Sequence, residues 1–159
     1  MDEENAKVST ICFPVRDNRI YLANKKRGFG MGFLNGYGGK KKQKDKTIED
    51  TAVREMKEES GVAVMPKDLE KVAIIDFFEG AAHIFECHVF FCRDWKGEFT
   101  ETEEMSKAEP YDIHNPPYAR MWDADRIWLP LVCSGKKIRG KSYYNQGMNR
   151  QEKFEYELL

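Results

Sequence analysis

The sequence predicts an α/β fold, a single-domain sandwich built on a mixed β-sheet. Three observations carry that expectation. The pattern runs β-rich, helix, β-rich, helix, β-hairpin, which calls for helices packed on a sheet that contains both strand directions. The length of 159 residues suits one domain with room for a sizeable core. No repeat, linker or low-complexity tract divides the chain, so residues 1–159 read as one unit, with 1–7 a flexible N-terminus.

Taken in order, Val8 to Val15 reads as a strand and Arg19 to Asn24 as its hairpin partner, with Asp17-Asn18 at the turn. Then comes KKRGFGMGFLNGYGGK, with 6 glycines in 16 residues. Such density marks a loop that approaches something closely or adopts positive φ. Its basic start (Lys25, Lys26, Arg27) and Phe29 suit a phosphorylated, aromatic ligand. Thr47 to Ser60 reads as an α-helix. Thr47 with Asp50 forms a capping-box-like start, and Gly61 a left-handed stop.

Val62 to Met65 and Val72 to Phe78 follow as strands, separated by Pro66-Lys67-Asp68. Ala82 to Arg93 is a longer strand whose Ile84, Phe85, Val89, Phe90 and Phe91 belong to the core. His83 and His88 within it lack ligand spacing to another His or Cys, so both read as structural. Trp95-Lys96-Gly97 is a turn, and ETEEMSKAEP an acidic loop able to bring one more carboxylate to a metal. Pro110, Pro116 and Pro117 mark an irregular crossing segment. RMWDADRIWLPLVCSGKK holds a short helix ending near Gly135, with Pro130 in its first turn or at a kink. Lys136 to Tyr144 and Lys153 to Leu158 make a terminal hairpin around NQGMN.

The helix from Thr47 is where the chemistry concentrates. At about 100° per residue, Glu55, Glu58 and Glu59 fall within one arc of roughly 100°. Ile48, Ala52, Val53 and Met56 occupy the neighbouring arc and can pack on a sheet. Crowded carboxylates raise one another's pKa. A hard, oxygen-preferring divalent cation relieves that cost, and Mg²⁺, bound through a few carboxylates and substrate phosphates, is the natural candidate.

Composition removes several function classes. The net charge of −1 argues against bulk attraction to duplex nucleic acid. No run approaches the ~18 apolar residues of a membrane span. The acidic start MDEENAKVST is no signal or transit peptide, so a cytoplasmic monomer acting on a small-molecule substrate is expected. Cys12, Cys87, Cys92 and Cys133 show no CxxC spacing and read as reduced, buried thiols.

At this point the residues resemble the Nudix hydrolases. That signature runs G, five residues, E, seven residues, R-E, an aliphatic, any residue, E-E, any residue, G, an aliphatic. REMKEESGV, Arg54 to Val62, meets its second half at every defined position. The first half departs: Gly39 lies one residue too far upstream, and Lys46 occupies the place of the first Glu, with Asp45 beside it as a substitute. The glycine loop, MWDADRIWLPL and the last hairpin are similar to the MutT branch of that family, which hydrolyses oxidised purine nucleoside triphosphates.

The resemblance implies a Nudix-type α/β/α sandwich. It implies Mg²⁺-dependent cleavage to a monophosphate and pyrophosphate, with Mn²⁺ a possible substitute, in sanitation of the nucleotide pool. Gly38 would offer a carbonyl to the metal and Glu55, Glu58, Glu59 and Glu104 their carboxylates, with Arg54, Glu58 and Glu59 the catalytic group. Thr10, Lys25, Phe29, Asn35, Trp122, Asp123 and Asp125 would bind the nucleotide. The branch pattern ends Trp, any residue, Asp-Asp, whereas here Ala124 stands for the first of the two acids. That change favours, as an alternative, a broader pyrophosphohydrolase acting on other triphosphates, ADP-ribose or nucleoside diphosphate sugars. A non-catalytic nucleotide-binding module is the remaining alternative.

Overall fold

Alternation along the two innermost strands decides how the layers stack. A computed structural model describes residues 7–159, so most of the expected flexible segment 1–7 lies outside the described residues. In β1 (Val8–Arg16), Phe13 and Val15 point to one face and Cys12 to the other. In β5 (Ala82–Cys92), Cys87, Val89 and Phe91 go to the first face, Phe90 and Cys92 to the second. Both faces are covered, so the strands read as continuous apolar runs rather than alternating ones. The helix α1 (Ile48–Ser60) covers the second face through Ala52 and Met56. The helix α2 (Asp125–Cys133) covers the first through Trp128, Leu129 and Val132.

The other strands are β2 (Arg19–Asn24), β3 (Leu34–Asn35), β4 (Leu69–Glu79), β6 (Glu109–Asp112), β7 (Ile138–Tyr144) and β8 (Gln151–Leu158). The sheet order is β3-β2-β1-β5-β4-β7-β8, with β6 paired to β2. The pairs β1·β5 and β4·β7 are parallel, while β4·β5, β1·β2 and β7·β8 are antiparallel. The sheet is mixed and lies between two helices, as expected. The β1–β2 turn has φ 53° at Asp17 and 62° at Asn18, the paired left-handed geometry that two-residue hairpins favour.

Three expectations need correction. Val62 to Met65 is not a strand: Ala63 makes one isolated bridge to Lys96, while Val62 and Val64 are buried beside α1. Pro66 then opens a 3-10 turn, Pro66–Asp68, which ends any extended run. The prolines of the crossing segment do not exclude pairing either. Pro110 lies within β6, an edge strand where a missing N–H is tolerated. Pro130 sits inside α2 rather than in its first turn. Among the described residues, no helix is long and apolar enough to cross a membrane.

Candidate active site

The helix α1 begins with a reciprocal cap. Thr47 Oγ1 accepts from Asp50 N at 3.1 Å, and Asp50 Oδ2 accepts from Thr47 N at 3.2 Å. It ends at Gly61, whose φ of 81° admits glycine at little cost. Between these ends, Arg54 acts as a hub. Its Nε and Nη2 donate to Asp45 at 3.0 and 2.9 Å, and its Nη1 reaches both Glu55 and Glu58. Asp45 also accepts from Thr51 Oγ1 and Lys42 N, each at 2.9 Å, and is buried, while Lys46 faces solvent. The irregular loop therefore still delivers a buried acid to Arg54, one residue before the place the signature assigns.

The glycine pair upstream brings backbone against these acids. A Cβ on Gly38 would collide with the Thr10 carbonyl, and one on Gly39 with the Glu55 carboxylate. Gly38 N donates to Glu59 Oε1 at 3.1 Å. Glu59 is buried, and that burial, with the charge of Glu55 added, pushes its pKa up to about 7. Burial likewise raises Glu55, against the pull of Arg54. Glu58 is half exposed. Glu104 is held elsewhere, by Lys25 Nζ at 3.1 Å and Arg27 Nε at 2.7 Å, and these cations, Arg27 first, lower its pKa.

The donor set fits a hard divalent cation. Arg54 is already matched bidentately by Asp45, which leaves Glu55, Glu58 and Glu59 with more negative charge than the site neutralises. Among the described residues, no three Asp, Glu, His or Cys side chains form a preassembled cage. Glu58 is turned to Arg54 and Glu104 to its two cations.

A cavity of about 490 Å³ runs from this cluster into the face of the sheet under α2, within the usual range for small-molecule sites. Lys25, Gly38, Gly39 and Glu59 line one part, and Ile75, Phe77, Phe85, Trp122 and Trp128 the apolar part. Thr10, Phe29, Asn35 and Asp125 also line it. Phe29 is 58% exposed and stacks on Trp122 at 5.1 Å. Asn35 Oδ1 accepts from Gly36 N at 2.8 Å, and Thr10 Oγ1 is buried without a partner among the described residues.

Asp125 is the most unusual group in the cavity wall. Its Oδ1 accepts from Trp128 Nε1 at 2.9 Å, while Oδ2 is buried with no partner among the described residues. Burial pushes its pKa up to about 7, against the Trp128 hydrogen bond and with help from the Asp123 charge. Asp123 itself is not brought to the cavity. Its Oδ2 accepts from Gln151 N at 2.8 Å, anchoring β8, and Arg126 lies 3.6 Å from Oδ1. Ala124 is fully buried, and its N–H donates to Tyr144 Oη at 2.7 Å. Reasoning from the sequence missed Phe77, Phe85, Cys87 and Met148 as wall residues. The first three carry only a strand alternation that names a face, and Met148, in a turn, carries no signal.

The histidines are structural in the sense expected, with Nε2 of His83 at 2.9 Å from Asp76 and Nε2 of His88 at 2.7 Å from Glu86. All four cysteines are free thiols.

Comparison with known proteins agrees with this geometry. The NUDIX domain model matches residues 6–132. Over 136 residues the chain is 39% identical to the oxidized purine nucleoside triphosphate hydrolases of Danio rerio and Mus musculus, covering 85% of this chain and 85% of each relative. The crystal structure of a MutT protein from Bacillus halodurans matches with a TM-score of 0.78, over 94% of this chain and 97% of that one. At 20% identity that last likeness is one of fold. The matched span takes in the Arg54–Val62 string, the glycine loop and the cavity wall at Trp122–Asp125, and the chain belongs to the Nudix family, hydrolases of phosphoanhydride bonds.

Proposed function

We propose that the protein hydrolyses purine nucleoside triphosphates, oxidised ones such as 8-oxo-dGTP included, to the monophosphate and pyrophosphate. The observation that carries this reading is Asp125 Oδ2, buried and unpartnered in an aromatic cavity that opens onto the carboxylates of α1. A buried polar atom without a partner is costly, and a ligand N–H or O–H removes that cost. The 39% identity to oxidized purine nucleoside triphosphate hydrolases supports the same substrate class.

The residues divide the work along the cavity. Trp122 and Phe29 offer flat faces to a purine, and Asn35 and Asp125 offer hydrogen bonds to its edge. Lys25 draws in the phosphates. Gly38, Glu55, Glu58, Glu59 and Glu104 would hold Mg²⁺, or Mn²⁺ in its place. Bound there, the cation supplies charge neutralisation at the phosphate oxygens and a water of lowered pKa. Glu59, buried and hydrogen-bonded to Gly38 N, would be placed among these acids to take up a proton from an attacking water. Arg54 holds Glu55 and Glu58 in register, and Asp45 holds Arg54. We place the protein in the cytoplasm as a monomer acting on free nucleotides.

The test is an assay of dGTP and 8-oxo-dGTP with Mg²⁺, resolving the products. Turnover of ADP-ribose or a nucleoside diphosphate sugar, with neither triphosphate cleaved, sinks the substrate assignment. A second reading, a broader pyrophosphohydrolase, is favoured by Ala124. Ala124→Asp in a substrate panel separates the two, since unchanged relative rates remove position 124 from base reading.

A further inference from the structure

The β7–β8 turn, Asn145 to Arg150, holds a methionine in a conformation it does not favour. Met148 has φ 53°, the left-handed region that a non-glycine residue disfavours. Such a conformation persists only where the surroundings fix it, and here they fix it from three sides. Gly147 N donates to Glu79 Oε2 at 2.7 Å, tying the turn to the end of β4. Gln151 N donates to Asp123 Oδ2 at 2.8 Å, tying it to the segment that carries Trp122 and Asp125. Asn145 Oδ1 accepts from Asn149 N at 3.1 Å and Arg150 N at 2.9 Å, closing the turn on itself. Within Asn145 to Arg150, Met148 alone lines the cavity, where it packs against the same core cluster as Trp122 and Phe85.

We propose that Met148 is a specificity-determining residue, the apolar wall that meets the base, and that Asp123 is its positioning residue. The proposal rests on the reading of the cavity as a purine site. Asn35 and Asp125 supply the polar atoms that read an edge, and contacts of that kind leave the outline of the base unread. An unbranched thioether is polarizable, makes favourable contact with ring edges and adapts to the outline of what it meets. Fixed by its backbone and unbranched at its tip, Met148 reports whether a purine fills the cavity. Asp123 does not line the cavity. Its carboxylate spends its hydrogen-bonding capacity on Gln151 N, which sets how far the turn leans over the cavity.

The experiment compares Met148→Ala, Met148→Gly, Met148→Leu and Asp123→Asn with the wild type. KM and kcat are measured for 8-oxo-dGTP, dGTP and a pyrimidine triphosphate, dUTP, with Mg²⁺. The expected result is a KM for both purine triphosphates raised on the order of tenfold in Met148→Ala and Met148→Gly, the range for lost apolar contact in a pocket. The shift falls on KM more than on kcat and is smaller for dUTP, whose base is too short to reach the wall. Met148→Leu recovers most of the loss, and Asp123→Asn moves the purine-to-pyrimidine KM ratio in the same direction. Glycine suits φ 53°, so Met148→Gly keeps or raises the melting temperature, which separates a lost wall from a lost fold. An unchanged KM ratio in Met148→Ala and Met148→Gly, with an active wild type, overturns the proposal alone. A wild type that cleaves no purine triphosphate overturns the purine reading, and the proposal with it.

Discussion

Asp45 and Arg54 form a bidentate, partly buried ion pair, with Oδ1 and Oδ2 of the acid at 3.0 and 2.9 Å from Nε and Nη2 of the base. The acid comes from the irregular lysine loop and the base from the middle of α1, so the pair fastens one to the other. Arg54 then spends Nη1 on Glu55 and Glu58. Removing the acid leaves Arg54 with Glu55 and Glu58 but strands two of its donors, which costs about 1–3 kcal/mol. Asp45→Asn is expected to lose stability of that order in urea unfolding, and Lys46→Ala to lose almost none.

The same pair predicts a direction with pH. Arg54 holds the Asp45 carboxyl well below the usual carboxylate range. A depressed folded-state pKa stabilises above the unfolded value and loses that contribution as pH falls toward the folded one. Wild-type protein should therefore lose stability steeply below about pH 4, and Asp45→Asn should show a shallower loss. Parallel slopes for the two proteins would remove Asp45 from the acid limb.

Asp125 gives the opposite sign. Its folded-state pKa is pushed up to about 7 by burial. The folded chain then binds the extra proton between about pH 4 and 7, so this contribution is full at the acid end and is lost as pH rises through 7. Asp125→Asn should remove the fall in stability between about pH 4 and 7, on the order of a few kcal/mol. The amide still accepts from Trp128 Nε1, so a melting-temperature series at several pH values reads the charge and not the hydrogen bond.

Glu59→Gln and Glu55→Gln are expected to lower kcat by about a hundredfold or more. Both wild-type carboxyls are raised by burial, so neither amide should destabilise the fold at pH 8. Chelation by EDTA should abolish turnover of the wild type, and Mg²⁺ should restore it. Full activity in EDTA would remove the α1 acids from metal chemistry.

Met56 is fully buried between α1 and the sheet. Met56→Ala should cost about 2–5 kcal/mol through lost contact and the cavity left behind. Thermal unfolding checks this, and a loss under 1 kcal/mol would mean that α1 resettles on the sheet.

Much of this molecule is written locally. Thr47, Asp50 and Gly61 mark the ends of α1 because caps and left-handed stops are made by residues within one turn of each other. The acidic face of that helix follows from its period, and the order of elements follows from which stretches alternate. What the sequence alone determined, then, was the α/β architecture, the helix and its three carboxylates, and with the Arg54–Val62 string the family. Val62 to Met65 shows the limit: four residues with strand character find one bridge, because pairing depends on a neighbour that local propensity does not specify.

Only the tertiary structure decided which acid braces Arg54, since Asp45 and Lys46 are adjacent and the backbone path alone selects the one that turns inward. It also decided that Asp125 faces the cavity with an unpartnered oxygen while Asp123, two residues away, faces the β8 backbone. And it brought Met148 to the wall through Glu79 and Asp123, which lie 69 and 25 positions away from it in the chain. The physical reason is common to all three. Direction and burial of a side chain in a loop or first turn are set by contacts from distant segments, and a linear pattern holds no record of them.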